Sequence, residues 1–125
     1  MGSVTSEVLD STIVIDHLNG IAAAMAAIEA SDAPAISVVT WIEVVAGLRD
    51  PASERRGREL LSTFSVIPLS EAVAEETARI RRERHLKLPD AIIWATARHH
   101  GLVLVTRNTR DFPADDPDVR VPYQL

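Results

Sequence analysis

Apolar positions along the chain alternate between two rhythms. Short β-rich runs occur at Glu7 to Leu9, Ala35 to Val39 and Ser65 to Leu69. Leu102 to Thr106 is a continuous apolar run of the kind that fills a parallel sheet, and Val119 to Val121 supplies an edge. Between these runs the spacing turns helical. Ile21, Ala24, Met25 and Ile28 form one stripe, predicting a helix over 21–30 that ends before Ala33-Pro34. Thr40 is read as opening a second helix, with Glu43 at the capping-box distance and Trp41, Ile42, Val45 and Leu48 as its apolar stripe. Asp50-Pro51 closes it, and a further helix is expected over about 52–63. Ser70 caps a long helix whose early glutamates (Glu71, Glu75, Glu76) and late arginines (Arg79 to Arg84) suit the helix dipole. Pro89 opens the next helix, about 89–100, and Gly101 ends it.

Strands that alternate with helices predict an α/β fold: a mostly parallel central sheet covered on both faces, in one domain spanning 1–125. The composition agrees, with 46% apolar and 25% charged residues. The absence of cysteine excludes a disulfide framework, a thiolate zinc site and a Cys nucleophile, and fits a reducing cytoplasm. The N-terminus shows no signal-peptide pattern, and the apolar run Ala91 to Ala97, broken only by Thr96, is too short to cross a membrane. The net charge of −5 argues against a purely electrostatic nucleic-acid binder. A divalent cation held among acids would reverse that sign locally. The clusters Arg55, Arg56, Arg58 and Arg79, Arg81, Arg82, Arg84 read first as solvated helix faces.

Ligands of open parallel sheets bind beyond the carboxyl ends of the strands. Asp10 follows the first strand, Glu43 follows the second, and Asn108 and Asp111 follow the Leu102–Thr106 strand. Asp90 joins them only if the start of its helix faces the same edge. Each acid also has a local explanation: Asp10 as a helix cap, Glu43 as half of a capping box, Asp90 as a dipole partner, Asp111 as a turn residue. Crowded carboxylates repel unless a hard cation compensates them, and oxygen ligands of this type suit Mg²⁺ or Mn²⁺. Such an ion serves phosphodiester hydrolysis by a metal-activated water.

Four segments in order resemble the PIN-domain ribonucleases, especially VapC-type toxins. They are Val8-Leu-Asp10-Ser-Thr-Ile-Val-Ile-Asp16, Ile36 through Thr40-Trp-Ile-Glu43 to Leu48, Leu88-Pro-Asp90-Ala-Ile-Ile-Trp-Ala-Thr-Ala97, and Leu104-Val-Thr106-Arg-Asn108-Thr-Arg-Asp111-Phe112. The resemblance covers nearly the whole chain. It implies a three-layer α/β/α fold, Mg²⁺- or Mn²⁺-dependent endoribonuclease activity, a small antitoxin partner that blocks the site, and a homodimer. It places Asp10, Glu43 and Asp90 on the family's metal-binding acids. The last segment departs from the pattern: many members have Asp where this chain has Asn108, so Asp111 stands as the fourth carboxylate. Thr106 resembles the family's hydroxyl beside the acids, and Thr40 is expected to support Glu43.

Other residues carry less. His99-His100 point in different directions from a helix end and read as structural. Trp41 and Trp94 read as core or dimer contacts, and Asp16 as a helix-surface acid. A phospho-accepting receiver domain needs a lysine after its late strand, but the sole lysine here is Lys87. A PIN-like module that only binds RNA or protein is the second reading, kept open by Asn108.

Overall fold

The computed structural model describes residues 6–125; the first residues of the stretch searched for a leader lie outside them. The elements run β1 (Ser6–Leu9), α1 (Ser11–Leu18), α2 (Ala22–Glu29), β2 (Ala33–Ser37), α3 (Val38–Ala46), α4 (Pro51–Leu61), β3 (Ser65–Ile67), α5 (Glu71–Glu83), α6 (Leu88–His100), β4 (Val103–Val105) and β5 (Val119–Arg120). The strands form one sheet in the order β3-β2-β1-β4-β5, and every pairing is parallel.

The strand residues alternate between two cores, as the period of a pleated strand dictates. Val8 and Leu104 face one core with Val73 and Ile80 of α5 and Ile93 and Trp94 of α6. Leu9 and Val105 face the other with Ile13 and Val14 of α1, Val44 of α3 and Leu61 of α4. The result is the expected three-layer α/β/α arrangement. Central strands buried on both faces explain why β4 reads as a continuous apolar run rather than an alternating one.

The start of α3 differs from the sequence expectation. Val38 and Val39 are β-branched and read as strand, yet they form the first helical turn. Ser37 is the cap: its side chain accepts the Val39 N–H at 3.1 Å. Thr40 is therefore an interior helix residue, fully buried, and makes no capping box with Glu43. Hydroxyl capping outweighed β propensity, which depends on context. Downstream, Asp50 and Ser53 form a reciprocal capping box on α4, Ser70 caps α5, and Gly101 ends α6 at φ +66°.

The chain moves outward from β1 to β2 to β3, then crosses back to place β4 on the other side of β1. The carboxyl ends of β1 and β4 thus flank the point where the winding reverses. Such points open a crevice in parallel sheets.

Candidate active site at the sheet switch point

Asp10 immediately follows β1, and its N–H donates to the Val105 carbonyl at 2.8 Å, which stitches it to the end of β4. It occupies the N-cap position of α1, yet its side chain makes no capping bond. Instead Oδ2 accepts the Thr12 hydroxyl at 2.7 Å and the Thr106 hydroxyl at 2.8 Å. Thr106 in turn accepts the Asn108 N–H at 2.9 Å. This chain of donors fixes a carboxylate that is only 2% exposed. Both side-chain bonds found for Asp10 among the described residues land on Oδ2, which leaves Oδ1 for another partner.

Glu43 lies in the second turn of α3 and is exposed. The Ser11 hydroxyl sits 2.5 Å from its Oε1 and 3.1 Å from Thr40 Oγ1. Ser11 has one proton, and the carboxylate is the stronger acceptor. Thr40 therefore donates to Ser11 and supports Glu43 through it, not by direct contact. From the sequence, Asp10-Ser11-Thr12 reads only as a helix start; the structure adds that both hydroxyls hold site carboxylates.

Asp90 lies in the first turn of α6, and that turn does face the switch point. Burial pushes its carboxyl up to about 6, and the nearby charges of Asp10, Asp111 and Glu43 add to the rise. The charges of the three other acids all bear on this carboxyl, as expected of groups gathered at one end of the sheet. Phe112 is fully buried and packs edge-to-face on Trp94, with centroids 5.6 Å apart at 82°. Trp94 is one helical turn beyond Asp90, and Phe112 follows Asp111, so a single core contact anchors both acids. Trp94 is thus a core residue.

Asn108 braces Asp111. Its Nδ2 donates to Asp111 Oδ2 at 2.9 Å, and its Oδ1 accepts the Asp111 N–H at 3.3 Å. An amide serves here because it offers a donor to the carboxylate; an aspartate would repel it. The substitution Asn108→Asp should therefore lower the metal-free melting temperature by a few degrees (about 1 kcal/mol). Added Mn²⁺ should recover the loss, and calorimetry with and without the ion checks this.

Asp16 corrects the sequence reading. It is 4% exposed, not a surface acid. It is paired with Arg107, whose Nη2 donates to Oδ1 at 3.0 Å and whose Nε contacts Oδ2, and the Tyr123 hydroxyl donates to Oδ2 at 2.8 Å. The Arg107 bond holds the Asp16 carboxyl below its ordinary value, with Tyr123 adding to the effect. Arg107 and Tyr123 lie 91 and 107 residues away along the chain, so no local pattern revealed them.

The donor set at the pocket is all oxygen and acidic, which fits a hard divalent cation. Among the described residues no three His, Cys, Asp or Glu side chains already close into a cage. The fit rests on the four acids at this end of the sheet, one of them raised to about 6, and on the Oδ1 of Asp10 that takes no hydrogen bond among the described residues.

A PIN-domain family model matches residues 8–114. The chain belongs to the PIN-domain family. Among solved structures it is similar to a chain of a toxin–antitoxin complex from Klebsiella pneumoniae, at 46% identity and TM-score 0.88, covering 95% of this chain and 99% of that one. It is also similar to a chain of the FitAcB structure from Neisseria gonorrhoeae, at 26% identity and TM-score 0.76, covering 94% and 99%. A chain of DNA-bound VapBC from Salmonella typhimurium shares the fold at 23% identity and TM-score 0.74, covering 94% and 96%. No match was found among the curated proteins. No helix among the described residues of this PIN domain is long and apolar enough to cross a membrane.

Metal-free, the raised Asp90 makes a signed prediction. A carboxyl raised in the folded state contributes stability below its unfolded value of 3.8 that is lost as pH rises through about 6. Asp90→Asn should thus melt like wild type near pH 4 and several degrees higher at pH 7. The gain is about 1–2 kcal/mol after allowing for solvent screening of a half-exposed group. A variant melting lower than wild type at pH 7 would mark Asp90 as a structural cap.

Proposed function

We propose that this PIN domain is a VapC-type toxin: an endoribonuclease dependent on Mg²⁺ or Mn²⁺, acting in the cytoplasm as a homodimer and held inactive by a cognate antitoxin. What supports this reading is that the charges of Asp10, Asp111 and Glu43 all raise the Asp90 carboxyl, with Asp10 at the carboxyl end of β1 beside the switch point where parallel sheets bind ligands. The 46% identity to a chain of a toxin–antitoxin complex, over nearly both chains, supports the toxin role. Asp10, Asp90, Glu43 and Asp111 would hold the metal, with Asn108 and Thr106 as supports. A bound divalent ion would neutralise developing charge on the phosphodiester and favour deprotonation of water at neutral pH.

The chain's own residues do the positioning. Thr12 and Thr106 hold Asp10 by one oxygen, so the other keeps a fixed direction. Ser11, backed by Thr40, holds Glu43. Asn108 holds Asp111. Each support is a neutral donor to a carboxylate, so it orients the acid without cancelling the negative field that attracts a cation.

The test incubates purified protein, free of partner, with total cellular RNA, with Mg²⁺ or Mn²⁺ and with EDTA. Discrete EDTA-sensitive products are expected. A folded sample that cuts nothing with either metal would overturn the nuclease in favour of a PIN-like module that only binds RNA or protein.

A further inference from the structure

A cleft of about 200 Å³ lies between α1, α3 and α4, and Glu43 is one of its lining residues, so it opens directly beside the candidate site. Ile15, Leu18, Val44 and Leu48 form its apolar wall, and Asn19 and Arg56 belong to its polar rim. An apolar wall with a few polar groups is the build of a small-ligand pocket. A cavity of about 150 Å³ holds a benzene ring, so this cleft has room for one base-sized ring system.

The two polar groups are uncommitted. Arg56 takes part in none of the ion pairs or arginine hydrogen bonds found among the described residues. Its neighbour in the basic cluster differs: Arg58 pairs with Glu54 and lies over the Trp41 ring at 5.7 Å. The charge of Arg56 bears on Asp50, but that carboxylate is spent on the α4 cap, where it accepts the Ser53 N–H at 2.9 Å. Among the described residues the bonded side-chain amide is that of Asn108, so the Asn19 amide keeps both a donor and an acceptor. Arg56 also borders a second hollow beyond Leu18, which sets it on the ridge between the two.

This placement suits a nucleotide. The site acids and their ion would engage the phosphate that is cut, and the next phosphate along a strand needs a cation of its own. A free guanidinium grips a phosphate by two parallel hydrogen bonds. Single-stranded RNA splays its bases out, where side chains read their edges. We propose that the α1–α3–α4 cleft is the subsite for the nucleotide next to the scissile phosphate. Arg56 holds that nucleotide's phosphate, Leu18, Val44 and Leu48 receive its base, and the Asn19 amide reads the base edge. The cleft thereby sets the sequence at which RNA is cut. The inference rests on the nuclease reading above.

Two measurements on the partner-free full chain separate the subsite from the nuclease. The first follows binding of a fluorescein-labelled pool of random single-stranded oligoribonucleotides by anisotropy, at several salt concentrations, to the chain carrying Asp10→Asn. Adding Arg56→Gln should weaken binding about tenfold and shrink the salt slope by about 0.7, the loss of one phosphate contact. Arg56→Lys in its place should recover much of both. The second maps product ends after cleavage of total cellular RNA with Mn²⁺. Asn19→Ala should broaden the base preference at one position beside the cut. Gly47→Leu should fill the cleft and raise KM about tenfold or more. Gly47 has an ordinary helical backbone, and a Cβ there meets the Val44 and Glu43 carbonyl oxygens at 3.5 and 3.6 Å, which is normal contact, so this variant should fold. If it does not, Arg56→Gln decides, because that position is exposed. Unchanged RNA binding and unchanged cut sites in Arg56→Gln would overturn the subsite and leave the nuclease standing. A wild type that cuts nothing but binds RNA through Arg56 would overturn the nuclease and support the cleft as an RNA site. Variants that bind RNA normally but lose the co-expressed antitoxin would give the cleft to that partner and overturn the proposal.

Discussion

Asp10→Asn should reduce metal-dependent RNA cleavage by at least about a hundredfold, with folding intact. The size follows if Asp10 is a charged ligand of an ion that would stabilise the reacting phosphate, since such ions lower the barrier by several kcal/mol. Folding is preserved for a physical reason. Asn keeps a carbonyl oxygen that can accept the Thr12 and Thr106 hydroxyls, so the donor chain through Thr106 to the Asn108 N–H survives. The N-cap function is also untouched, because the Asp10 side chain makes no capping bond. Losing one of four crowded negative charges relieves repulsion as well. Calorimetry should therefore show the variant melting no lower than wild type without metal, while titration calorimetry shows weakened Mn²⁺ binding. Full cleavage by Asp10→Asn would sink the metal-site assignment. A clear fall in melting temperature would make Asp10 a structural residue.

Asp16→Ala is expected to have the largest effect on stability, a loss of about 2–3 kcal/mol. Breaking a buried ion pair by removing one partner strands the other, and typical costs run to 3–5 kcal/mol. Arg107 retains 32% side-chain exposure, so water recovers part of that. The Tyr123 hydroxyl loses its acceptor too, which frees the C-terminal segment from α1. The pH dependence has a definite sign. Because Arg107 lowers the Asp16 carboxyl in the folded state, its contribution is full above the ordinary value near 3.8 and is lost as pH falls through the lowered one. Urea denaturation should thus separate the variant from wild type widely at pH 7 and by less towards pH 3. Equal midpoints at pH 7 would show that the pair contributes nothing net. Arg107 stands between Thr106 and Asn108, so the same variant should also weaken Mn²⁺ binding by loosening the loop that carries Asp111.

Most of the candidate site could be proposed from the sequence because its residues sit at ends of elements, and element ends carry strong local signals. Asp10 follows an apolar strand, Asp90 sits beside Pro89 at a helix start, and Asn108 and Asp111 follow the apolar run that begins at Leu102. Alternation of strand and helix then implied a parallel sheet, and a parallel sheet implied a common edge. Where competing local preferences were close in energy, the reading failed. Val38 and Val39 favour strand by side-chain shape, but the Ser37 cap and the burial of Thr40 and Val44 put them in a helix.

By itself, then, the sequence determined the layer architecture, the helix boundaries marked by Asp50-Pro51, Ser70, Pro89 and Gly101, and the set of acids available to the candidate site. These follow from interactions within a few residues along the chain. Only the tertiary structure decided that the first turn of α6 faces the switch point, that Ser11 rather than Thr40 touches Glu43, and that Asp16 is buried against Arg107 and Tyr123. Those outcomes depend on side chains 32 to 107 residues apart meeting in space, and no periodicity along one segment encodes such a meeting.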